Sequence, residues 1–159
     1  MILGVDPALS ITGYGVINLE DGRLALIEAG IITTQAKEEL PSRLDKIFRA
    51  LLKLITDTRP EVLVLEKLYA HYRHPTTAYL LGQARGVICL ASSEKKVSLV
   101  EYAATRVKKA VVGKGLASKT QVQKAVARIL SLDSVPKYTD VTDALALAIA
   151  HCYIARIRI

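Results

Sequence analysis

Two short apolar runs, each closed by a carboxylate, constrain this chain more than anything else in it. Met1-Ile-Leu-Gly-Val5 ends on Asp6, and Val62-Leu-Val-Leu65 ends on Glu66. A continuous run of this kind marks a strand buried on both faces, and such a strand ordinarily runs parallel to a neighbour beneath covering helices. A charge at its end costs several kcal/mol unless it is paired or holds a metal. Asp6 therefore reads as a metal ligand. Glu66 repeats the arrangement, and acids at the carboxyl ends of adjacent parallel strands can converge on one site. Taken singly, each acid reads first as a strand end facing solvent, and Glu66 has Lys67 as a neighbour to pair with.

The stretches between them fix the rest. A proline turn follows Asp6, and Ile11 to Leu19, with glycines at 13 and 15, is a second strand. Glu20-Asp-Gly22 is a hairpin turn of the type Asp-Gly favours, and Arg23 to Thr33 is a third strand. A helix opens at Pro41 and runs to about Thr58, its apolar stripe carried by Leu44, Ile47, Phe48, Leu51, Leu52 and Ile55. Arg59-Pro60 stops it before the strand Glu61–Glu66. A polar, aromatic loop, Tyr69 to Pro75, leads to a helix over about Thr76–Ser93, and Lys96 to Tyr102 is a fifth strand. Ala103 to Val112 is helical and Gly113-Lys-Gly115 breaks it. Ser118 caps a helix to about Leu130, and a last helix covers about Thr139–Ile157. The expected fold is α/β: a three-layer domain with a mixed five-stranded sheet, three antiparallel strands followed by two parallel ones, flanked by helices.

The last helix brings two more acids. Asp140 and Asp143 stand three residues apart in its first turn, so they share a face. Capping accounts for one Asp there, but two on the same face of an otherwise apolar helix need more. Four carboxylates, Asp6, Glu66, Asp140 and Asp143, are what a pair of hard divalent cations requires, magnesium first and manganese as an alternative. No Cys/His spacing offers zinc, and Cys89 and Cys152 read as free thiols inside helices.

Charge points to the partner. The formal net charge is +7, yet residues 67–137 carry thirteen Lys/Arg against three Asp/Glu, so the basic surplus lies in the middle of the chain. A polyanion, with nucleic acid first, is the partner implied. Lys108, Lys109, Lys114 and Lys119 lie on and around two short helices joined by a glycine loop, where backbone can approach a phosphate and lysines neutralise it. Lys124 and Arg128 fit a solvated helix face, and His71 and His74 a plain surface loop. The longest apolar run, Ala144–Ala150, is far short of the ~20 residues of a membrane span, and no basic head precedes the apolar start. A single cytoplasmic domain over 1–159, with no membrane contact, is the expectation.

At this point a family resemblance enters. GVDPALSITGYGV, VLVLEKLY, LGQARGV (81–87), EYAATRVKKAVVGKG (101–115), SKTQVQ (118–123) and DVTDALALAIAHCY (140–153) resemble, in order and spacing, the RuvC family of bacterial Holliday-junction resolvases in the ribonuclease H-like superfamily. The resemblance implies a homodimeric, magnesium-dependent endonuclease that nicks two opposing strands of a four-way DNA junction symmetrically, partnered by branch-migration machinery of the RuvA/RuvB type. It places Asp6, Glu66, Asp140 and Asp143 on the family's four metal-binding acids. Lys108 and Lys119 fall on basic residues tied to DNA binding, Lys119 also to catalysis. Tyr69 falls on an aromatic that stacks on bases near the cut. Gln83 and Arg85 are weaker candidates for contacts at the dimer interface or DNA. The chain departs from the pattern at Ala8, where the family usually has glycine; a positive φ there would strain the turn by about 1 kcal/mol.

Three other readings compete. One is a nuclease of the same superfamily acting on structured RNA. Another is a sugar-kinase or actin-like ATPase with its Asp-x-Gly phosphate loop, for which 159 residues supply only one of two domains and Ala8 removes the glycine. The last is a junction-binding module without activity, which the four retained acids argue against.

Overall fold

The computed structural model describes residues 1–68 and 75–155. Chain order is β1 (Ile2–Asp6), β2 (Ile11–Glu20), β3 (Arg23–Thr33), α1 (Leu40–Thr58), β4 (Val62–Glu66), α2 (Pro75–Glu94), β5 (Ser98–Tyr102), α3 (Ala104–Val112), α4 (Lys119–Ile129) and α5 (Thr139–Ile154). The five strands form one sheet in the order β3-β2-β1-β4-β5. β1 and β2, and β2 and β3, pair antiparallel; β4 pairs parallel with both β1 and β5. This is the mixed sheet expected from the sequence.

Period-two alternation distributes the strand side chains between two cores. Leu3 and Val5 of β1 and Leu63 and Leu65 of β4 pack with Ile47, Leu51 and Ile55 of α1 and Ala84 and Ile88 of α2. Ile2, Val62 and Val64 point the other way, against Leu145 and Ile149 of α5, with α3 and α4 outside them. The middle strands are thus covered on both faces, which is why their sequences run apolar without a break.

Local chemistry explains where the elements stop. Asp21 and Gly22 both adopt positive φ (48° and 77°), the geometry a two-residue hairpin loop of the primed type needs. α1 ends at Arg59 in the left-handed region, just before Pro60. β5 begins two residues later than its sequence predicts, because Lys96 takes a left-handed turn (φ 55°) to leave α2. Ser118 and Gln121 cap α4 reciprocally, a complete capping box. α5 ends at Ile154, short of the predicted Ile157; residues 156–159 lie outside the described ones. Cys89 and Cys152 are free thiols, as expected. No helix among the described residues is long and apolar enough to cross a membrane.

Candidate active site

Register puts the first two acids side by side. β1 and β4 run parallel with Val5 opposite Leu65, so the next residues, Asp6 and Glu66, are the ends of adjacent strands. Alternation then settles their face. Ile2 and Val62 point toward α5, hence so do positions 6 and 66, each two periods further on.

The sheet carries α5 at unusually short range. A methyl group at Gly4 would stand 1.9 Å from the Ala144 carbonyl oxygen, and one at Gly13 would stand 2.2 Å from that of Asp140. Gly13 is the β2 partner of Asp6. Only residues without a side chain let the first turn of α5 settle there, and that turn holds Asp140 and Asp143.

A cavity of about 350 Å³ opens at this junction, lined among others by Asp6, Glu66, Asp143, Lys108 and Lys119. Its wall is completed by apolar groups that include Pro7, Leu81, Val107 and Leu147. Lys119, the first residue of α4, places Nζ 3.8 Å from Asp143 Oδ2. Burial, then the carboxylates of Asp143, Asp140 and Glu66, push the Asp6 carboxyl up to about 7, against a smaller opposing pull from Lys119. Burial raises Glu66 as well, with Asp143 adding to it and Lys108, Lys119 and Arg85 opposing. Asp143 is raised by burial, offset chiefly by Lys119. Three acids that resist ionisation, beside two lysines too few to balance them, form a site short of positive charge.

That electrostatic deficit and an all-carboxylate donor set fit a hard divalent cation. Among the described residues no three Asp, Glu, His or Cys side chains are drawn together closely enough to grip an ion as they stand.

Of the residues singled out from sequence, Asp6, Glu66, Asp143, Lys108 and Lys119 share the cavity, and Asp140 acts electrostatically on both Asp6 and Asp143 from the same helix turn. Lys109 and Lys114 are exposed and are not among the cavity's lining residues. Tyr69 lies outside the described residues. Ala8 is not among the residues with positive φ, so its methyl group carries no backbone strain. The loop is closed instead by Thr12, whose hydroxyl donates to the Ala8 carbonyl at 2.6 Å.

Arg85 differs from its expected role. It is 9% exposed, turned inward rather than toward DNA or a partner, and donates from Nη1 to the Glu66 carbonyl oxygen at 2.8 Å. Sequence reasoning missed this contact and the glycine seat beneath α5. The glycines at 4 and 13 on a buried sheet were the available signal for the second.

Comparison with known proteins identifies the family and the fold. The family model described as crossover junction endodeoxyribonuclease RuvC matches residues 2–151. A crossover junction endodeoxyribonuclease RuvC of Rhodopirellula baltica is 46% identical over 154 residues, covering 97% of this chain and 86% of that protein. The RuvC structure of Thermus thermophilus superposes with a TM-score of 0.91 at 31% identity, covering 98% of this chain and 95% of that one. The same organism's RuvC in complex with a Holliday junction substrate gives 0.89 at 29% identity, covering 98% and 94%.

Proposed function

The chain belongs to the family of RuvC crossover junction endodeoxyribonucleases, and from that premise we propose that it resolves four-way DNA junctions by paired symmetric nicks, using two magnesium ions bound by Asp6, Glu66, Asp140 and Asp143. The observation that carries this reading is the register: two acids on neighbouring parallel strands, aimed at the face where Asp143, Lys108 and Lys119 line the same cavity. A resolvase of this family depends on a divalent cation; magnesium, with manganese able to replace it, is the hard ion that this oxygen-only donor set suits. Such ions, when bound, lower the pKa of the attacking water and stabilise the leaving oxygen.

The chain's own residues divide the remaining work. Asp6 and Glu66 bind from the sheet, Asp140 and Asp143 from α5. Lys119 orients Asp143 and offsets charge that develops on the scissile phosphate. Lys108 holds the phosphate beside it, while Lys109 and Lys114 grip the flanking backbone from outside the cavity. Tyr69 stacks on a base near the cut.

The active form is a homodimer of one nuclease domain over 1–159, which gives one cavity for each of two opposing strands. Support comes from α2, where Tyr79 and Leu90 are 64% and 56% exposed and the intervening Gly82 and Gly86 have open space above them. Apolar and small groups on successive turns of one face suit close helix packing better than solvent. Branch-migration machinery of the RuvA/RuvB type delivers the junction.

Purified protein with Mg²⁺ and a synthetic four-way junction tests the reading. Nicks at equivalent positions on two opposing strands are expected. Faster cutting of structured RNA, or no cutting at all, contradicts it.

A further inference from the structure

We propose that Arg85 is a positioning residue that sets the Glu66 carboxylate in the cavity by clamping the ends of β4 and β5. It rests on the reading of Glu66 as a metal ligand. Arg85 sits on α2, on the face of the sheet away from α5, and a guanidinium this buried must be fully partnered to be tolerated. It has two partners on two strands. Nη1 donates to the Glu66 main-chain carbonyl at 2.8 Å, and Nη2 donates to the Glu101 carboxylate. Glu101 stands opposite Leu65 in the β4–β5 ladder, on the face away from α5. The clamp therefore holds Glu66 by its backbone from one side of the sheet and leaves its carboxylate free on the other.

The position of the clamp matters because the ladder runs out there. Among the described residues beyond Glu66, only Lys67 N–H, donating to the Tyr102 carbonyl at 2.8 Å, continues the β4–β5 pairing. A strand end with so few constraints lets a terminal side chain wander, and a ligand that wanders weakens its site. The planar fork of an arginine can reach both strands at once; a lysine ammonium is a point charge and cannot span them.

The test compares Arg85→Lys, Arg85→Ala and Glu66→Gln with the unmodified chain, each checked for folding by circular dichroism. Mn²⁺ binding to the free protein is titrated by electron paramagnetic resonance, and junction affinity and nicking turnover at saturating junction are measured alongside. Arg85→Lys should lose roughly tenfold in both Mn²⁺ affinity and turnover, the range for residues that orient a metal ligand, while junction Kd stays within about twofold. A merely structural arginine would leave Mn²⁺ affinity of the folded variant unchanged, and that result overturns the proposal. If Arg85→Ala does not fold, Arg85→Lys, which keeps the charge, decides. Glu66→Gln separates the two levels. Unaltered Mn²⁺ binding in Glu66→Gln removes Glu66 as a ligand and the clamp's purpose with it; reduced binding there, with none lost in Arg85→Lys, overturns the clamp alone.

Discussion

Gly13 lies so close beneath Asp140 that a methyl group on it would come within 2.2 Å of the Asp140 carbonyl oxygen and 2.8 Å of its Cβ. The acid at the helix start and the bare position on β2 are one fitted pair. Backbone, not a flexible side-chain tip, is what a larger residue would strike.

Gly13→Ala should therefore lift the first turn of α5 from the sheet. A destabilisation of about 1–3 kcal/mol is expected from overpacking, together with a loss of nicking larger than the loss of folded protein accounts for. Urea unfolding and turnover, measured on the same sample, check this. Unchanged turnover would mean that α5 can shift without consequence for the acids it carries.

Asp6→Asn and Glu66→Gln should each reduce nicking on the order of 10³-fold, several kcal/mol of transition-state stabilisation. Junction binding should persist, because Lys108, Lys109, Lys114 and Lys119 are untouched. Gel-shift and cleavage assays on one junction separate the two effects. Full activity in either variant would contradict the assignment.

The metal-free protein should become less stable as pH rises. The Asp6 carboxyl is raised from 3.8 to about 7 in the folded chain, so the folded state holds a proton that the unfolded state releases more readily. That contribution is complete below about pH 4 and is lost as pH climbs through about 7. Glu66 and Asp143 shift in the same direction. Urea midpoints from about pH 5 to about pH 8 should fall, and Asp6→Asn should flatten most of the slope. A rising midpoint, or an unaltered slope in the variant, would count against crowded acids.

Leu90→Glu should dissociate the homodimer without unfolding the chain, because Leu90 is 56% exposed and belongs to no core. Light scattering after size exclusion reports the mass. A dimer of unchanged stability would move the interface away from α2.

Much of this architecture was legible in residue pattern. The apolar runs before Asp6 and Glu66 gave buried parallel strands because both faces are covered, and Asp21-Gly22 gave its turn because both residues need positive φ. Ser118 announced the start of α4, and the structure adds Gln121 as the other half of the cap. What stayed hidden depends on distance through space. Gly4 and Gly13 look like ordinary strand glycines until α5 is placed on them. Arg85, a cation within a basic segment, reads as a contact at the dimer interface or DNA, and only the packing of α2 against the sheet turns it toward Glu66. The family's glycine at position 8 proved dispensable to backbone geometry, since Thr12 fastens the loop with φ kept negative.

Lys119 should report on phosphate charge. Lys119→Ala is expected to lower turnover and to reduce the slope of log affinity against log salt by about one. Filter binding across a salt series measures the slope; no change in either quantity would leave Lys119 as a solvated side chain.

Lys119 also stands where a helix least favours a cation. The free N–H groups of the opening turn give that end of α4 a partial positive charge; α4 has no acid of its own there, and the answering carboxylate is Asp143 of α5, 3.8 Å from Lys119 Nζ. A neutral residue here would spare α4 an unfavourable end charge of about 0.3–1 kcal/mol, whereas glutamate would add a further carboxylate beside Asp6, Glu66 and Asp143. The helix start thus holds a small thermodynamic debt, and a version of this enzyme beginning α4 with a neutral side chain would have the easier helix and the poorer cut.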